Sequence, residues 1–267
     1  MVHAKKSLGQ NFLNSKTVAR DITRAGELSS IDTVLEIGPG KGFLTSELLS
    51  SGAHVIAVEK DDRMISILQE KFALELKEKK FTLIHGDIME LSTHQNFFTK
   101  NLGEQGYKLV ANIPYYLTGQ IIRSFLEAES KPERMILMVQ KEVATRIVAR
   151  DKKESILSIA VKVYGSPKLI KKVPARYFTP APKVDSAILS IENISSKNLL
   201  DKNFEKLFFE IVRAGFSHKR KVLLGNLKEL LGENVFQILD EAGIPNKARA
   251  EDLSLTQWLD ITSRCRS

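Results

Sequence analysis

Residues 33–45 read TVLEIGPGKGFLT, and this stretch decides the fold. TVLEIG (33–38) is rich in residues that suit a buried strand, and it ends in glycines. FLTSELLSSG (43–52) then reads as a helix that closes at Gly52. A strand, a glycine turn and a helix in direct succession form the opening unit of an α/β protein.

Working outward, the alternation continues. HVIAVE (54–59) is a second strand. Asp61 or Asp62 can cap the next helix, in which Met64, Leu68 and Phe72 recur every four residues on one face. FTLIHGD (81–87), YKLVAN (107–112) and RMILMVQ (134–140) supply three more strands. Short apolar strands between helices predict a parallel sheet with helices on both faces. Beyond Gln140 the pattern loosens, with β-like runs at KLIKKV (168–173) and DSAILSIE (185–192). Between them PARYFTPAPKV holds three prolines and reads as a stiff, extended loop. From about Asn203 the pattern is helical only, and Leu223, Leu227, Leu230 and Leu231 form an apolar stripe. The expected organisation is an α/β domain over 1–193 and a small all-α domain over 194–267.

The 267 residues are 43% hydrophobic and 27% charged, which suits a globular chain and excludes a disordered one. No run approaches the roughly eighteen apolar residues of a membrane span. The opening MVHAKKSLGQNFLN lacks an apolar core with a small-residue cleavage site, which argues against a secretory signal. Cys265 is the only cysteine, so an intrachain disulfide and a cysteine metal cluster are excluded; no metal is expected, and a cytoplasmic setting fits. The net charge of +8 points to a polyanionic partner, nucleic acid or an acidic surface.

Gly38, Gly40 and Gly42 let the chain turn sharply and approach a ligand, with a helix N-terminus behind them. The G-x-G-x-G spacing is neither the dinucleotide fingerprint nor a P-loop. The alternative for the loop alone is a tight turn with no ligand, the lesser of the two readings. Glu59, closing the second strand, is placed to accept hydrogen bonds from both hydroxyls of a ribose, and Asp87, after the third, to lie near an adenine. Together these favour an adenosine-containing ligand. Glu36, just before the glycines, would repel a pyrophosphate but suits a ligand with a positive end. S-Adenosylmethionine carries a sulfonium and an ammonium.

Glu36 to Gly42 resembles the first motif of the class I S-adenosylmethionine-dependent methyltransferases, which implies a Rossmann-like seven-stranded sheet. NIPY (112–115) resembles the motif of enzymes that methylate exocyclic amines of nucleobases. With KKSLGQNFL (5–13), FTPAPKVDSA (178–187) and GFSHKRKVLLGNL (215–227), the chain is similar over nearly its whole length to the ribosomal RNA adenine N6-dimethyltransferases, and most to their small-subunit branch. That resemblance implies a monomer that gives two adjacent N6,N6-dimethyladenosines in a hairpin loop near the 3′ end of 16S rRNA, in the assembling small subunit. It assigns cofactor contacts to Asn11, Leu13, Gly38, Glu59, Asp87 and Asn112, with Gly40 and Glu36 in the same motif, and puts Phe178 against the base opposite Tyr115. Ile113 departs from the leucine of many relatives, without consequence for a backbone carbonyl.

Adenine N6 is a poor nucleophile because its lone pair is delocalised into the ring. The Asn112 side-chain oxygen and the Ile113 carbonyl can each accept an N6–H, Pro114 stiffens the turn, and Tyr115 offers a face for the base. Tyr116 is assigned to packing. For phosphates the basic candidates are Lys219, Arg220 and Lys221, Arg146 with Arg150, and Lys168 to Arg176. The rival readings are a 23S rRNA or DNA adenine methyltransferase and a non-catalytic assembly factor that keeps the fold. A nicotinamide dehydrogenase is disfavoured by the glycine spacing.

Overall fold

The computed structural model describes residues 4–5, 8–93, 97, 101–102, 106–149 and 151–266. Packing divides the chain into two compact units, residues 1–144 with 166–194, and residues 145–165 with 195–267. The sequence reading puts 145–165 in the first domain; its residues instead pack with the C-terminal helices. The chain leaves the first unit after the sixth strand and returns for the last three.

In the first unit, α1 (Lys16–Ala25) follows a short strand β1 (Phe12–Leu13). The βα alternation then runs β2 (Thr33–Ile37), α2 (Phe43–Leu49), β3 (His54–Glu59), α3 (Asp62–Lys71), α4 (Ala73–Lys77), β4 (Phe81–His85) and α5 (Ile88–Leu91). It continues with β5 (Lys108–Asn112), α6 (Thr118–Glu127), β6 (Arg134–Gln140) and α7 (Lys141–Ile147). Asp61, not Asp62, caps α3, its carboxylate accepting from the Arg63 amide. After α8 (Ile156–Lys162), which belongs to the second unit, the first unit resumes with β7 (Ser166–Val173), β8 (Phe178–Thr179) and β9 (Ser186–Glu192).

The seven-stranded sheet has the order β4-β3-β2-β5-β6-β9-β7. β2 to β6 are mutually parallel, while β9 runs antiparallel to both β6 and β7. The sheet is therefore mixed: the strands up to Gln140 are parallel, as their alternation with helices implies, and the two β-like runs beyond it pair antiparallel. The reason is local: β7 and β9 are joined without a crossover helix, and a connection of that kind pairs strands antiparallel. The central strands are buried and apolar along most of their length, as suits strands covered on both faces, with Glu36 of β2 the charged exception inside them. The order reverses direction between β2 and β5, so a crevice opens beyond their carboxyl ends, where open α/β sheets bind ligands. A separate pair, β1 with β8, aligns Leu13 with Phe178 and ties the N-terminal arm to the proline loop.

The second unit is helical, with α9 (Lys202–Gly215), α10 (Leu223–Leu231), α11 (Val235–Glu241) and α12 (Leu255–Arg266). Asp201 caps α9 through the Phe204 amide. Trp258 of α12 is fully buried, with Phe216 stacked on it at 5.7 Å. In α10 Leu223 and Leu227 are buried but Leu230 is 43% exposed, so the apolar stripe is narrower than its leucines suggest.

Candidate active site

The crevice holds a cavity of about 350 Å³, built entirely within the first unit. The loop after β2 forms its floor. Gly38, Gly40 and Gly42 all have left-handed backbones, at φ +66°, +57° and +69°. The Gly38 amide donates to the Val58 carbonyl of β3 and the Gly40 amide to Glu59 Oε2, both at 2.9 Å. A side chain at Gly38 would meet no protein atom within 4 Å, so the space there is cavity. Gly42 faces the core instead, against Leu68 and Phe72. Lys71 at the end of α3 clamps the loop, its ammonium donating to the Lys41 and Gly42 carbonyls.

Glu59 is buried, and its second oxygen accepts from the Asp61 amide at 2.8 Å. Burial, partly opposed by these backbone donors, raises its pKa. Asp87 caps α5 through the Met89 amide and holds Lys60 Nζ at 2.6 Å. Burial pushes its carboxyl up, but Lys60 and the amide outweigh that and leave it below the usual range. Glu36 lines the same cavity at 1% exposure.

The N-terminal arm closes one side. Gln10 Nε2 donates to Asp61 Oδ2 at 2.9 Å, and Lys5 Nζ lies 3.5 Å from the other oxygen. Phe12 lies against Gly40, with the Lys41 ammonium 5.1 Å from its ring centre. The Asn112 Nδ2 donates to the Asn11 carbonyl at 3.1 Å, across 101 residues of sequence. That bond fixes the amide with nitrogen toward the arm, and Oδ1 accepts nothing from the described residues. The Ile113 side chain is buried, which fixes the peptide whose carbonyl follows. Pro114 sits at φ −57°. The half-buried Tyr115 ring is pinned by its hydroxyl, 2.6 Å from Ser186 Oγ on β9.

Asn11, Leu13, Glu36, Gly38, Gly40, Glu59, Asp87, Asn112, Ile113, Pro114 and Tyr115 all line this cavity. Phe178 does not. It is 3% exposed and packs in the core beside Leu13, because the β1–β8 pair buries it. In this arrangement it offers no face to a base and serves the core. Tyr116, assigned to packing, is 64% exposed at the cavity, its ring against Gly9. Sequence reasoning passes over Gln10, Lys60, Met89 and Gln120. The first sits in the KKSLGQNFL stretch, but no spacing rule links it to Asp61. Among the described residues no His, Cys, Asp or Glu cluster could hold a metal.

Lys219, Arg220 and Lys221 are exposed in the turn before α10, and none forms an ion pair with a described residue. Buried Asn226 fixes that turn, its Nδ2 donating to the Gly215 and His218 carbonyls at 2.6 and 3.1 Å. Arg146 is exposed on α7; Arg150 lies outside the described residues. Lys168 and Lys171 are paired, with Glu192 and Asp21.

A mixed seven-stranded sheet, a left-handed glycine loop at its reversal point and a following acidic strand end define a class I S-adenosylmethionine-dependent methyltransferase. The residues fit that donor: the glycines leave room, and buried Glu36 Oε2, without a hydrogen-bond partner, awaits a positive group. The chain belongs to the ribosomal RNA adenine dimethylase family, whose model matches residues 1–266. It is 44% identical to a ribosomal RNA small subunit methyltransferase A from Dehalococcoides mccartyi, over 96% of this chain and 87% of that one. A protein of the same name from Clostridium botulinum is 41% identical over 95% of this chain and 90% of its own length. Among solved structures it is similar to the 23S rRNA methyltransferase ErmE, at TM-score 0.76 and 26% identity, over 96% of this chain and all of the other. A dimethyladenosine transferase from Plasmodium falciparum superposes at TM-score 0.78 with 25% identity, over 94% and 95% of the two chains.

Proposed function

We propose that this chain dimethylates N6 of two adjacent adenosines in a hairpin loop near the 3′ end of 16S rRNA, working as a monomer in the cytoplasm on the assembling small subunit. The observation that carries this reading is the Asn112 amide. Its nitrogen is spent on the Asn11 carbonyl, so its oxygen is turned out as an acceptor beside the Ile113 carbonyl. Two acceptors at one amine draw both N6 protons into the plane of the acceptors and localise the lone pair. Pro114 keeps the pair at a fixed spacing, and Tyr115, held by Ser186, supplies the stacking face. When bound, S-adenosylmethionine supplies a methyl group activated by its sulfonium. Gly38 and Gly40, Glu59 and Asp87 would hold its adenosine, with Asn11 and Leu13 closing over it and Glu36 facing its positive end.

Methylation makes the amine cationic and its proton acidic, so solvent suffices as base. Tyr115 is unsuited to that role, since burial raises its phenol pKa further. The second transfer reuses the site after the donor is exchanged, with one acceptor taking the single remaining N6–H and the pocket accommodating the N-methyl group. A flipped base is more easily drawn from a loop than from a duplex, which suits a hairpin substrate. Lys219, Arg220, Lys221 and Arg146 would contact phosphates, the first three on a turn that Asn226 keeps in place. The names of the relatives at 41–44% identity favour small-subunit over large-subunit RNA.

The test is an Asn112→Ala variant. It should still fold, although it loses the bond to the Asn11 carbonyl, and at saturating donor it should transfer no methyl group to undermodified small subunits. Wild-type turnover in that variant would refute the two-acceptor mechanism.

A further inference from the structure

Glu36 is buried inside the α/β unit and yet lines the cavity, and its Oε2 has no hydrogen-bond partner. β5 brings the apolar Val110 beside it, while three other elements contribute a polar or charged group. Thr45 of α2 brings a hydroxyl that is likewise buried. Lys71 of α3 brings an ammonium, held on the Lys41 and Gly42 carbonyls. Glu59 of β3 brings a second carboxyl, its oxygens taken by the Gly40 and Asp61 amides. Burial of a carboxylate is costly, and Thr45 and Lys71 offset only part of that cost, so the neutral acid is favoured while the cavity holds no cation. Burial above all, with the Glu59 charge adding to it, pushes the Glu36 pKa up to about 8 against the pull of Thr45 and Lys71.

We infer that Glu36 is a protonated carboxylic acid in the ligand-free protein and ionises when a cationic ligand fills the cavity, so that binding of the donor's positive end expels a proton. The O–H bond of Glu36 breaks, the proton leaves to solvent, and the carboxylate keeps the electron pair as counter-charge to the ligand. Burial lowers the Lys71 pKa, and the anion formed at Glu36 works against that and favours its ammonium form. Glu36 thereby selects ligands for a positive end, over and above their adenosine. The inference rests on the reading that the cavity takes S-adenosylmethionine.

The sign follows directly. Protonation of the free site competes with cation binding, so affinity rises with pH below about 8, by up to tenfold per pH unit. The experiment is calorimetric titration at pH 7 in phosphate and in Tris, whose ionisation enthalpies differ, with thermal melts of each variant alongside. Wild type with S-adenosylmethionine should release close to one proton. 5′-Methylthioadenosine, which has neither charge, should release none. Release with S-adenosylhomocysteine as well would assign the ammonium as the partner, and release with the donor alone the sulfonium; each supports the inference. Glu36→Gln should bind the donor without proton release and with a flat pH profile. If that variant does not fold, the wild-type pH profile and the methylthioadenosine contrast still decide. No proton release by wild type on binding the donor, or the same release by Glu36→Gln, overturns it. A wild type that does not bind the donor at any pH instead overturns the reading of the cavity itself.

Discussion

Three glycines with nearly the same backbone conformation should respond to alanine in different ways. Any L-residue at φ near +60° costs ~1–2 kcal/mol, so that penalty is common to Gly38, Gly40 and Gly42. What the added methyl meets is different. At Gly38 it meets no protein atom within 4 Å and stands in the cavity. At Gly42 it runs into the Phe72 ring and lies 2.9 Å from Leu68, inside the core. Overpacking of that kind adds ~1–3 kcal/mol. Gly42→Ala should therefore lose ~2–5 kcal/mol of stability and Gly38→Ala only ~1–2. For a unit of this size each kcal/mol lowers the melting temperature by roughly 2–4 °C. Donor binding should follow the opposite order, with Gly38→Ala weakened by about tenfold or more, a loss of at least ~1.4 kcal/mol. Gly40→Ala should show both effects in part, since its methyl would press 2.9 Å from the Phe12 ring on the N-terminal arm. Thermal melts and calorimetric titration of the donor measure the two quantities separately. The reasoning fails if Gly38→Ala binds the donor like the wild type, or if Gly42→Ala melts no lower than Gly38→Ala.

Tyr115→Phe keeps the ring and loses only the hydrogen bond to Ser186, so kcat/KM should fall by less than about tenfold. Tyr115→Ala loses the stacking face, worth ~1–3 kcal/mol, and should fall further; equal losses in the two variants would deny the ring its role. Replacing Lys219, Arg220 and Lys221 together by alanine should leave donor affinity alone. It should lower the slope of log K for the rRNA against log salt by about 0.7–0.9 for each phosphate these side chains neutralise, and an unchanged slope would remove the turn from the RNA interface. The Arg63 guanidinium, with Gln10, holds the Asp61 carboxyl well below the usual carboxylate range despite burial. A depressed folded pKa stabilises the fold above the ordinary carboxylate pKa and is lost as pH falls through the folded value. Asp61→Asn should therefore lower the melting point at neutral pH and flatten the acid limb of the stability profile; an unchanged acid limb would show that Asp61 is not a source of it.

The strands from 33 to 140 and the glycine loop are legible because local pattern and tertiary position agree there. The same holds for Glu59 and NIPY, each fixed by where its strand stops. What escapes the sequence is long-range. β1 and β8 are two residues each, too short for any period, and their pairing is what buries Phe178 in the core rather than at the cavity. The Gln10–Asp61 and Asn11–Asn112 bonds join residues 51 and 101 apart, beyond any spacing rule. Residues 145–165 look like a continuation of the βα alternation, yet they pack with the C-terminal helices. The exposure of Tyr116 is equally hidden, because an aromatic beside a proline turn reads as core unless the neighbouring glycine at position 9 is known to lie beneath it.

The most direct test is methylation of small ribosomal subunits from cells lacking this activity, using methyl-labelled S-adenosylmethionine, with the modified bases mapped and identified by mass spectrometry. The account predicts label at two adjacent adenosines near the 3′ end of 16S rRNA, both recovered as N6,N6-dimethyladenosine. Label confined to large-subunit RNA, or no label from a protein that binds the donor, would contradict it.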